Sequence, residues 1–421
     1  MIKKRILITA LVIVLVSLPL AFLLPPYMRS QAQTQAYAAS DQKAANADPE
    51  IVNANTRFAV SMIQQLAKED PGSNILISPL SVSTALTMAY NGAGGTTKES
   101  MARTLGVENM SLSRLDNGYL NLLQSLQSVD DTIQLSIADS MLVKDVFAPK
   151  VKQSFTDNVT NYFMGEVSIR PFDSTTVTYI NNWVSEKTNG VVQKMLDAID
   201  PKDVVILLNT IYFKGAWSNM FNPSWTRPGV FKLSDGSTAT VSYMNKEASY
   251  GYLNDSEAQA IRLPYGRGKV AMYVFVPRSS LDSFLDGLTR GRLDGYFTRF
   301  QQKDLELSMP RFNVTYGTRS LNDALKSLGM GVAFDWMNAD FSGIASGPPN
   351  LAISQVDHKA YVGVGEGGTV AAAATSVEII QTASRPGFVV DRPFLFVIRD
   401  DRSGSILFIG EIENPLQTTS P

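Results

Sequence analysis

The sequence predicts an α+β fold in one large domain, and three observations carry that prediction. Amphipathic helical stripes with helix-entry signals occupy the first 200 residues. After Val204 the texture changes to short apolar β runs separated by turn signals. Between about residue 53 and the end there is no linker, internal repeat or low-complexity tract. Helices ahead of strands imply antiparallel sheets covered by helices, not alternating parallel units. The chain has 421 residues, 44% of them hydrophobic and 18% charged, enough to bury a core that needs no crosslink. It has no cysteine, which excludes disulfides, thiol nucleophiles and thiolate metal sites.

The elements follow in order. Phe58, Met62, Ile63 and Leu66 form a helical stripe within Arg57–Leu66, and Asp70-Pro-Gly-Ser-Asn74 breaks the chain before Ile75-Leu-Ile77. Ser78-Pro79 is a helix entry, with Leu80, Ala85, Leu86 and Met88 following and Asn91–Gly95 ending the helix. Ile180–Leu196 is a second amphipathic stretch, interrupted at Asn189-Gly190. The β runs are Val204–Leu208, Ile211–Phe213, Val270–Val276, Leu305–Ser308 and Phe394–Ile398, with turns such as Ser234-Asp-Gly236 and Pro264-Tyr-Gly266 between them.

The N-terminus differs in kind. Lys3, Lys4 and Arg5 precede a charge-free apolar run of 19 residues, Ile6 to Leu24, and Ala36-Tyr-Ala38 supplies a small-x-small site. That pattern predicts an export signal over residues 1–38, with an uncleaved N-terminal membrane anchor as the alternative. Residues 39–52 read as a flexible linker and 53–421 as the folded domain, placed outside the cytoplasm. Removing residues 1–38 takes away four of 37 basic residues and none of the 39 acidic ones. The remainder is mildly acidic without a basic run, which argues against nucleic-acid or polyanion partners.

Enzyme chemistry finds little support. His358 is the sole histidine, no Gly-x-Ser-x-Gly elbow occurs, and no spacing resembles a metal or phosphate loop. No metal or cofactor is expected. His358 lies between Ile353-Ser-Gln-Val356 and Tyr361-Val-Gly-Val364, which read together as one strand. A lone histidine there reads as a hydrogen-bonded core residue. The unusual segment is Gly368-Thr-Val-Ala-Ala-Ala-Ala-Thr375, just upstream of Asp391-Arg-Pro-Phe394. Four alanines pack little, but they can enter a crowded place without clashing.

Blocks along residues 53–416 resemble the serpin family. They include Asn74-Ile-Leu-Ile-Ser-Pro-Leu-Ser-Val-Ser-Thr-Ala-Leu86, Asn91-Gly-Ala-Gly-Gly-Thr-Thr97, Ile180-Asn-Asn-Trp-Val-Ser-Glu-Lys-Thr-Asn-Gly190 and Leu208-Asn-Thr-Ile-Tyr-Phe-Lys-Gly-Ala-Trp217. Later come Met309-Pro-Arg-Phe312, Asp340-Phe-Ser-Gly343, His358-Lys-Ala-Tyr361 and Phe388–Ile398. The resemblance implies three sheets, the largest called sheet A, about nine helices and an exposed reactive-centre loop. It also implies a monomeric suicide inhibitor of serine-type endopeptidases, with cysteine proteases a further class. A target cuts the loop and is held as a covalent acyl-enzyme while the cut strand inserts into sheet A. Loop insertion of this kind is an established example of strand addition. The same resemblance marks Glu366, Gly368, Thr369, Val370, Ala371, Ala372, Ala373, Ala374 and Thr375 as the loop hinge. It marks Ser78, Ser81, Asn209 and His358 as a mid-sheet shutter, and Trp217 as the place where the sheet first opens.

Strand geometry fits this. Thr369, Ala371, Ala373 and Thr375 share one face, with no buried charge or proline among them, and are expected to point inward. Thr369–Thr382 would span about 46 Å at about 3.3 Å per residue. In inhibitory members of the family the hinge glycine precedes the cleaved residue by fourteen, and the signature proline follows it by eleven. Counting from Gly368 and from Pro393 gives Thr382 both times, so the reactive bond is read as Thr382–Ala383, with Gln381–Thr382 and Ala383–Ser384 as alternatives. A small β-branched residue there suits elastase-like or subtilisin-like targets. The competing function is a non-inhibitory serpin used for binding, storage or chaperone work. Two departures stand out: Glu366 is followed by Gly367 where the family has a second glutamate, and Val370 stands where another glutamate is common.

Overall fold

Two sheets with a helix between them form the frame of the molecule. The computed structural model describes residues 26–316, 320–347, 350–369 and 387–417, with side chains from residue 33 onward. The helices of the first half are α1 (Pro26–Ala45), α2 (Pro49–Glu69), α3 (Pro79–Asn91), α4 (Gly95–Leu105), α5 (Leu112–Leu126), α6 (Gln153–Phe163) and α7 (Ser174–Lys187). The later ones are α8 (Leu281–Asp286), α9 (Arg290–Phe297) and α10 (Asn322–Leu325).

The strands alternate with them. They are β1 (Ile75–Ile77), β2 (Ile133–Lys144), β3 (Glu166–Arg170), β4 (Val205–Ala216), β5 (Arg227–Lys232), β6 (Thr238–Asn254), β7 (Ala258–Tyr265) and β8 (Val270–Pro277). After them come β9 (Gln301–Pro310), β10 (Phe312–Tyr316), β11 (Gln355–Gly365), β12 (Gly368–Thr369), β13 (Gly387–Val389), β14 (Phe394–Asp400) and β15 (Ile406–Ile412). A six-stranded sheet runs β10-β11-β12-β4-β2-β3 and matches the expected sheet A. A nine-stranded assembly runs β1-β15-β14-β8-β7-β6-β9-β13, with β5 on β6. The other two expected sheets are joined here because β6, 17 residues long, pairs with β5 at its first end (Thr238–Tyr243), with β9 through its middle (Tyr243–Tyr252) and with β7 at its last end (Gly251–Asn254).

Helix α3 is buried from Pro79 to Tyr90 and packs on β15 of one sheet and on β2 and β4 of the other. A helix with no charged residue, only apolar and small hydroxyl side chains from Pro79 to Tyr90, can be buried on every side. Its polar side chains satisfy themselves on the preceding turn: Ser83 and Thr84 donate to Leu80 O and Thr87 donates to Ser83 O. The predicted entry is confirmed, with Ser78 as N-cap accepting from Ser81 N at 3.3 Å and Pro79 in the first turn.

Strand alternation sorts the sheet residues onto two faces. Leu207, Ile211, Val143, Val356 and Val362 belong to the main core on the α3 side, whereas Ile206, Leu208 and Leu142 pack with Ile180, Trp183 and Val184 beneath α7. Asn209, Asp139 and His358 have the parity of the first set, which turns them toward α3.

Some expectations change. Residues 39–52, read as a linker, are the end of α1, a short turn and the start of α2. The alanines of this stretch are good helix formers, and Asp48-Pro49 is an N-cap, with Asp48 accepting from Glu50 N at 3.0 Å. The helix predicted from Ile180 begins earlier, behind the Asp173 cap, and ends before Asn189 and Gly190, whose φ angles are +53° and +76°. The two runs Val204–Leu208 and Ile211–Phe213 are one strand, β4, because Asn209 and Thr210 find partners inside the sheet. No helix among the described residues is long and apolar enough to cross a membrane. The apolar run Ile6–Leu24 lies outside them.

The far end of α3 is fixed by backbone touching backbone. Gly343 N donates to Gly92 O at 3.0 Å, and a Cβ on Gly343 would lie 2.7 Å from Gly92 O and 2.9 Å from Gly92 Cα. Gly343→Ala is expected to lower stability by about 1–3 kcal/mol. Gly291→Ala, in α9 with open space around it, is expected to raise it by roughly 0.5–1 kcal/mol. Thermal unfolding of both variants checks the contrast.

Candidate functional site: a partly open seam in the six-stranded sheet

The site lies between β4 and β11. Over most of their length the two strands pair directly and in parallel, from Gln355↔Ile206 to Tyr361↔Tyr212. Beyond Tyr361 they part, and β12 fills the gap. Gly368 and Thr369 pair antiparallel with Gly365 and Val364 on one side and with Ala216 and Gly215 on the other. The seam is thus zipped at one end and wedged open by two residues at the other.

At the mouth, the Trp217 indole stacks on Tyr265 with ring centroids 4.4 Å apart. Its Nε1–H donates to Gly365 O at 2.9 Å and its backbone N–H to Gly367 O at 3.0 Å. Thr369 is fully buried, and its hydroxyl is 2.6 Å from that of Tyr265. Of the four residues expected to face inward, it is the one described, and it does so. Gly368 has φ +137°, and a Cβ there would lie 2.1 Å from Gly215 O and 2.8 Å from Ala216 Cα. Both conformation and space therefore require glycine. Glu366 accepts from Thr226 Oγ1 at 2.5 Å, from Arg311 Nε at 2.6 Å and from Arg311 Nη2. Burial opposes its ionisation, but the bonds from Arg311 and Thr226 outweigh it and hold the carboxyl below its usual pKa.

Midway along the seam, Ser78, Ser81, Asn209 and His358 come together, as expected. Ser78 N–H donates to His358 Nε2 at 3.1 Å. An N–H donor facing Nε2 requires that nitrogen to be bare, so the proton sits on Nδ1 and is donated to Asn209 Oδ1 at 2.5 Å. Asn209 Nδ2 in turn donates to Ser81 Oγ and to Asp139 Oδ1. His358 and Asn209 are register partners across the seam, and Asn209 and Asp139 across the next strand pair. One chain of hydrogen bonds therefore ties β11, β4, β2 and the start of α3. Burial pushes the His358 pKa down to about 3 and the Asp139 pKa up to about 8, the latter opposed by the bond from Asn209. Both groups are neutral at pH 7.

Val370, Ala371, Ala372, Ala373, Ala374, Thr375, Thr382 and Ala383 lie outside the described residues. The described residues of β12 end at Thr369, and the next described residues begin at Gly387 in β13, which pairs with β9. Sequence reasoning missed Tyr265, Asp139, Thr226 and Arg311. Asp139 carried a signal, the one charged residue between Ile133 and Val143. The others sit on different strands or loops and meet the seam only in three dimensions.

The family model described as Serpin (serine protease inhibitor) matches residues 53–415. The chain is a serpin. It is 32% identical over 375 residues to an uncharacterized serpin-like protein of Thermococcus kodakarensis, covering 87% of this chain and 86% of that one. It is 32% identical to human Serpin B8, covering 87% of this chain and 100% of the other. Among solved structures, native tengpin, a thermophilic serpin, superposes with a TM-score of 0.81 at 30% identity, covering 87% of this chain and 95% of that one. Thyroxine-binding globulin in complex with thyroxine superposes at 0.80 and 27% identity, covering 87% and 99%. The serpin fold predicted from sequence is therefore present. Among the described residues, no group of three histidine or acidic side chains is arranged to hold a metal ion.

His358 makes this serpin's stability depend on pH in a defined direction. Its folded pKa is depressed below that of the unfolded chain, so the unfolded state takes up the proton first, and the stabilisation present above pH 6.5 is lost as pH falls toward 3. The stability gap between wild type and His358→Asn is expected to be about 2 kcal/mol narrower at pH 5 than at pH 7. Urea unfolding at the two pH values measures it, and an unchanged gap would mean that the imidazole is not held neutral.

Proposed function

We propose that this serpin is an exported suicide inhibitor of serine-type endopeptidases and that its reactive bond is Thr382–Ala383. The observation that carries the proposal is β12. Two residues of the hinge already form an antiparallel strand between β4 and β11, and the residues that follow them in the sequence are small. In the proposed reaction the target's serine oxygen attacks the Thr382 carbonyl. The Thr382–Ala383 peptide bond breaks, an ester to the target forms, and the amine of Ala383 leaves with a proton. Thr369–Thr382 then extends β12 down the seam, replacing the β4–β11 pairing with two antiparallel ladders.

The energetics favour that direction. Each net ladder bond contributes roughly 0.5–1.5 kcal/mol, so about a dozen supply on the order of 10 kcal/mol. Antiparallel pairing is also slightly more stable per residue than the parallel pairing it replaces. Fold likeness alone does not separate inhibitory from binding serpins, since thyroxine-binding globulin shares the fold. The hinge composition supports the inhibitory reading. Val370 to Thr375 contain no charge, proline or large aromatic group that would resist burial. Thr382 with Ala383 favours targets whose pockets take small side chains, elastase-like or subtilisin-like. The signal-like segment 1–38 supports export.

Incubation with elastase or subtilisin is expected to give a complex that survives denaturing electrophoresis and a released peptide with the mass of residues 383–421. Cleavage by every protease tried without any stable complex would assign the chain to the non-inhibitory class.

A further inference from the structure

Helix α1 lies outside the family match, which begins at residue 53, yet it docks on the serpin body. Tyr37, Ser40, Asp41 and Ala44 fall at i, i+3, i+4 and i+7, one face of a helix. Ser40 and Ala44 are buried, and Tyr37 and Asp41 half-buried, while residues 33–36, 38, 39 and 42 are exposed. Ser40 Oγ donates to Ser125 O at 2.6 Å. Asp41 accepts from Lys269 Nζ at 2.7 and 2.8 Å and from Arg402 Nη1 at 3.1 Å. The Tyr37 ring lies beneath Arg267, 5.1 Å from its guanidinium carbon, with Lys269 Nζ at 5.9 Å.

Two of these partners, Arg267 and Lys269, belong to the turn between β7 and β8, and that turn holds the mouth of the seam. Gly266 N donates to Ala216 O at 2.8 Å, and Ser218 N donates to Pro264 O at 2.8 Å. Arg267 N donates to Asp130 Oδ2 at 2.6 Å. Asp130 Oδ1 also accepts from Thr132 N and Oγ1 at 2.8 and 2.7 Å, next to the start of β2. Ala216 is the register partner of Gly368. Tyr265, at the head of the turn, bonds Thr369. A short chain of direct contacts thus runs from α1 through the turn to both residues of β12.

We propose that α1 is a strap that clamps the Gly266–Lys269 turn and thereby sets how readily the mouth between β4 and β11 opens. Tyr37 and Asp41 are its two grips, the ring under the Arg267 guanidinium and Lys269 ammonium and the carboxylate on Lys269 and Arg402. Processing after Ala38, the boundary that the N-terminal pattern suggests, would remove the Tyr37 grip and slacken the mouth. A chain cut upstream of Tyr37 keeps it. The strap acts on the hinge of the proposed inhibitor, but its test needs no protease, so the two readings fail separately.

Hydrogen–deuterium exchange on the full chain, followed in segments 213–218 and 364–369, tests the strap. Tyr37→Ala and Asp41→Asn are each expected to speed exchange there by about fivefold or more, with 205–210 unchanged. Lys269→Met added to Asp41→Asn is expected to add less than Lys269→Met does alone, since the two share the Asp41–Lys269 contact and only the Lys269–Tyr37 contact is newly lost. Asp48→Asn, which keeps the α2 cap but removes the charge of the Asp48–Arg114 pair away from the turn, is expected to leave both segments as they are. Faster exchange confined to α1 and residues 266–269, or an equal rise with Asp48→Asn, would overturn the proposal.

Discussion

The parallel pairing of β4 with β11 is the constraint on which the rest of the structure depends. Both strands have antiparallel neighbours on their other sides, β2 beside β4 and β10 beside β11. A parallel pair between them leaves room for one more antiparallel strand. The molecule holds this less favourable arrangement together by two means. Along the zipped part, Asn209 and His358 face each other across the seam and connect it to Ser78, Ser81 and Asp139. At the mouth, β12 caps the gap with two residues and is held by Tyr265, Trp217 and the Glu366–Arg311 pair. The same tie that closes the seam must be broken if a longer strand is to enter it. Neutral hydrogen bonds suit that purpose better than a buried ion pair, since an entering strand leaves no unpaired charge behind.

Buried acids near the seam set the wider pH response against that of the histidine. Asp139, and Asp357 on the opposite face of β11, have pKa values raised to about 8 and about 7, the first by burial against the bond from Asn209, the second by burial and the nearby Asp203. Their folded forms keep protons that the unfolded chain has lost by neutral pH, so each contributes stability that declines as pH rises from about 4 toward its folded value. His358 works in the other direction over an overlapping range. Glu366, its pKa depressed, adds stability at neutral pH that is lost in acid. The seam is therefore balanced between opposing titrations.

Much of this was legible in the sequence, and the exceptions have physical causes. Ser78-Pro79 predicted a helix start because an N-cap and a first-turn proline are local signals. The inward face of the hinge followed from strand parity, and Thr369 obeys it. The lone histidine read as a hydrogen-bonded core group, and it is one. What sequence could not place were partners from distant segments: Tyr265 beneath Trp217 and Thr369, Arg311 on Glu366, and Asp139 behind Asn209. The part of helix α1 from residue 39 onward was read as linker for a related reason. Its docking stripe contains a serine and an aspartate, and these read as linker until Arg402, Lys269 and the Ser125 carbonyl are seen against them. The single Glu366, a departure from the family's usual glutamate pair, nonetheless has a full set of partners.

In the proposed reaction the segment after Thr369, once cut, enters between β4 and β11 and replaces their direct pairing from Gln355 to Tyr361. Thermal unfolding before and after limited proteolysis between residues 369 and 387 measures this most directly. Filling the seam with about a dozen ladder bonds is predicted to raise the midpoint by on the order of 10 °C or more. A cut form that melts at the same temperature as the intact chain, or below it, would contradict the claim.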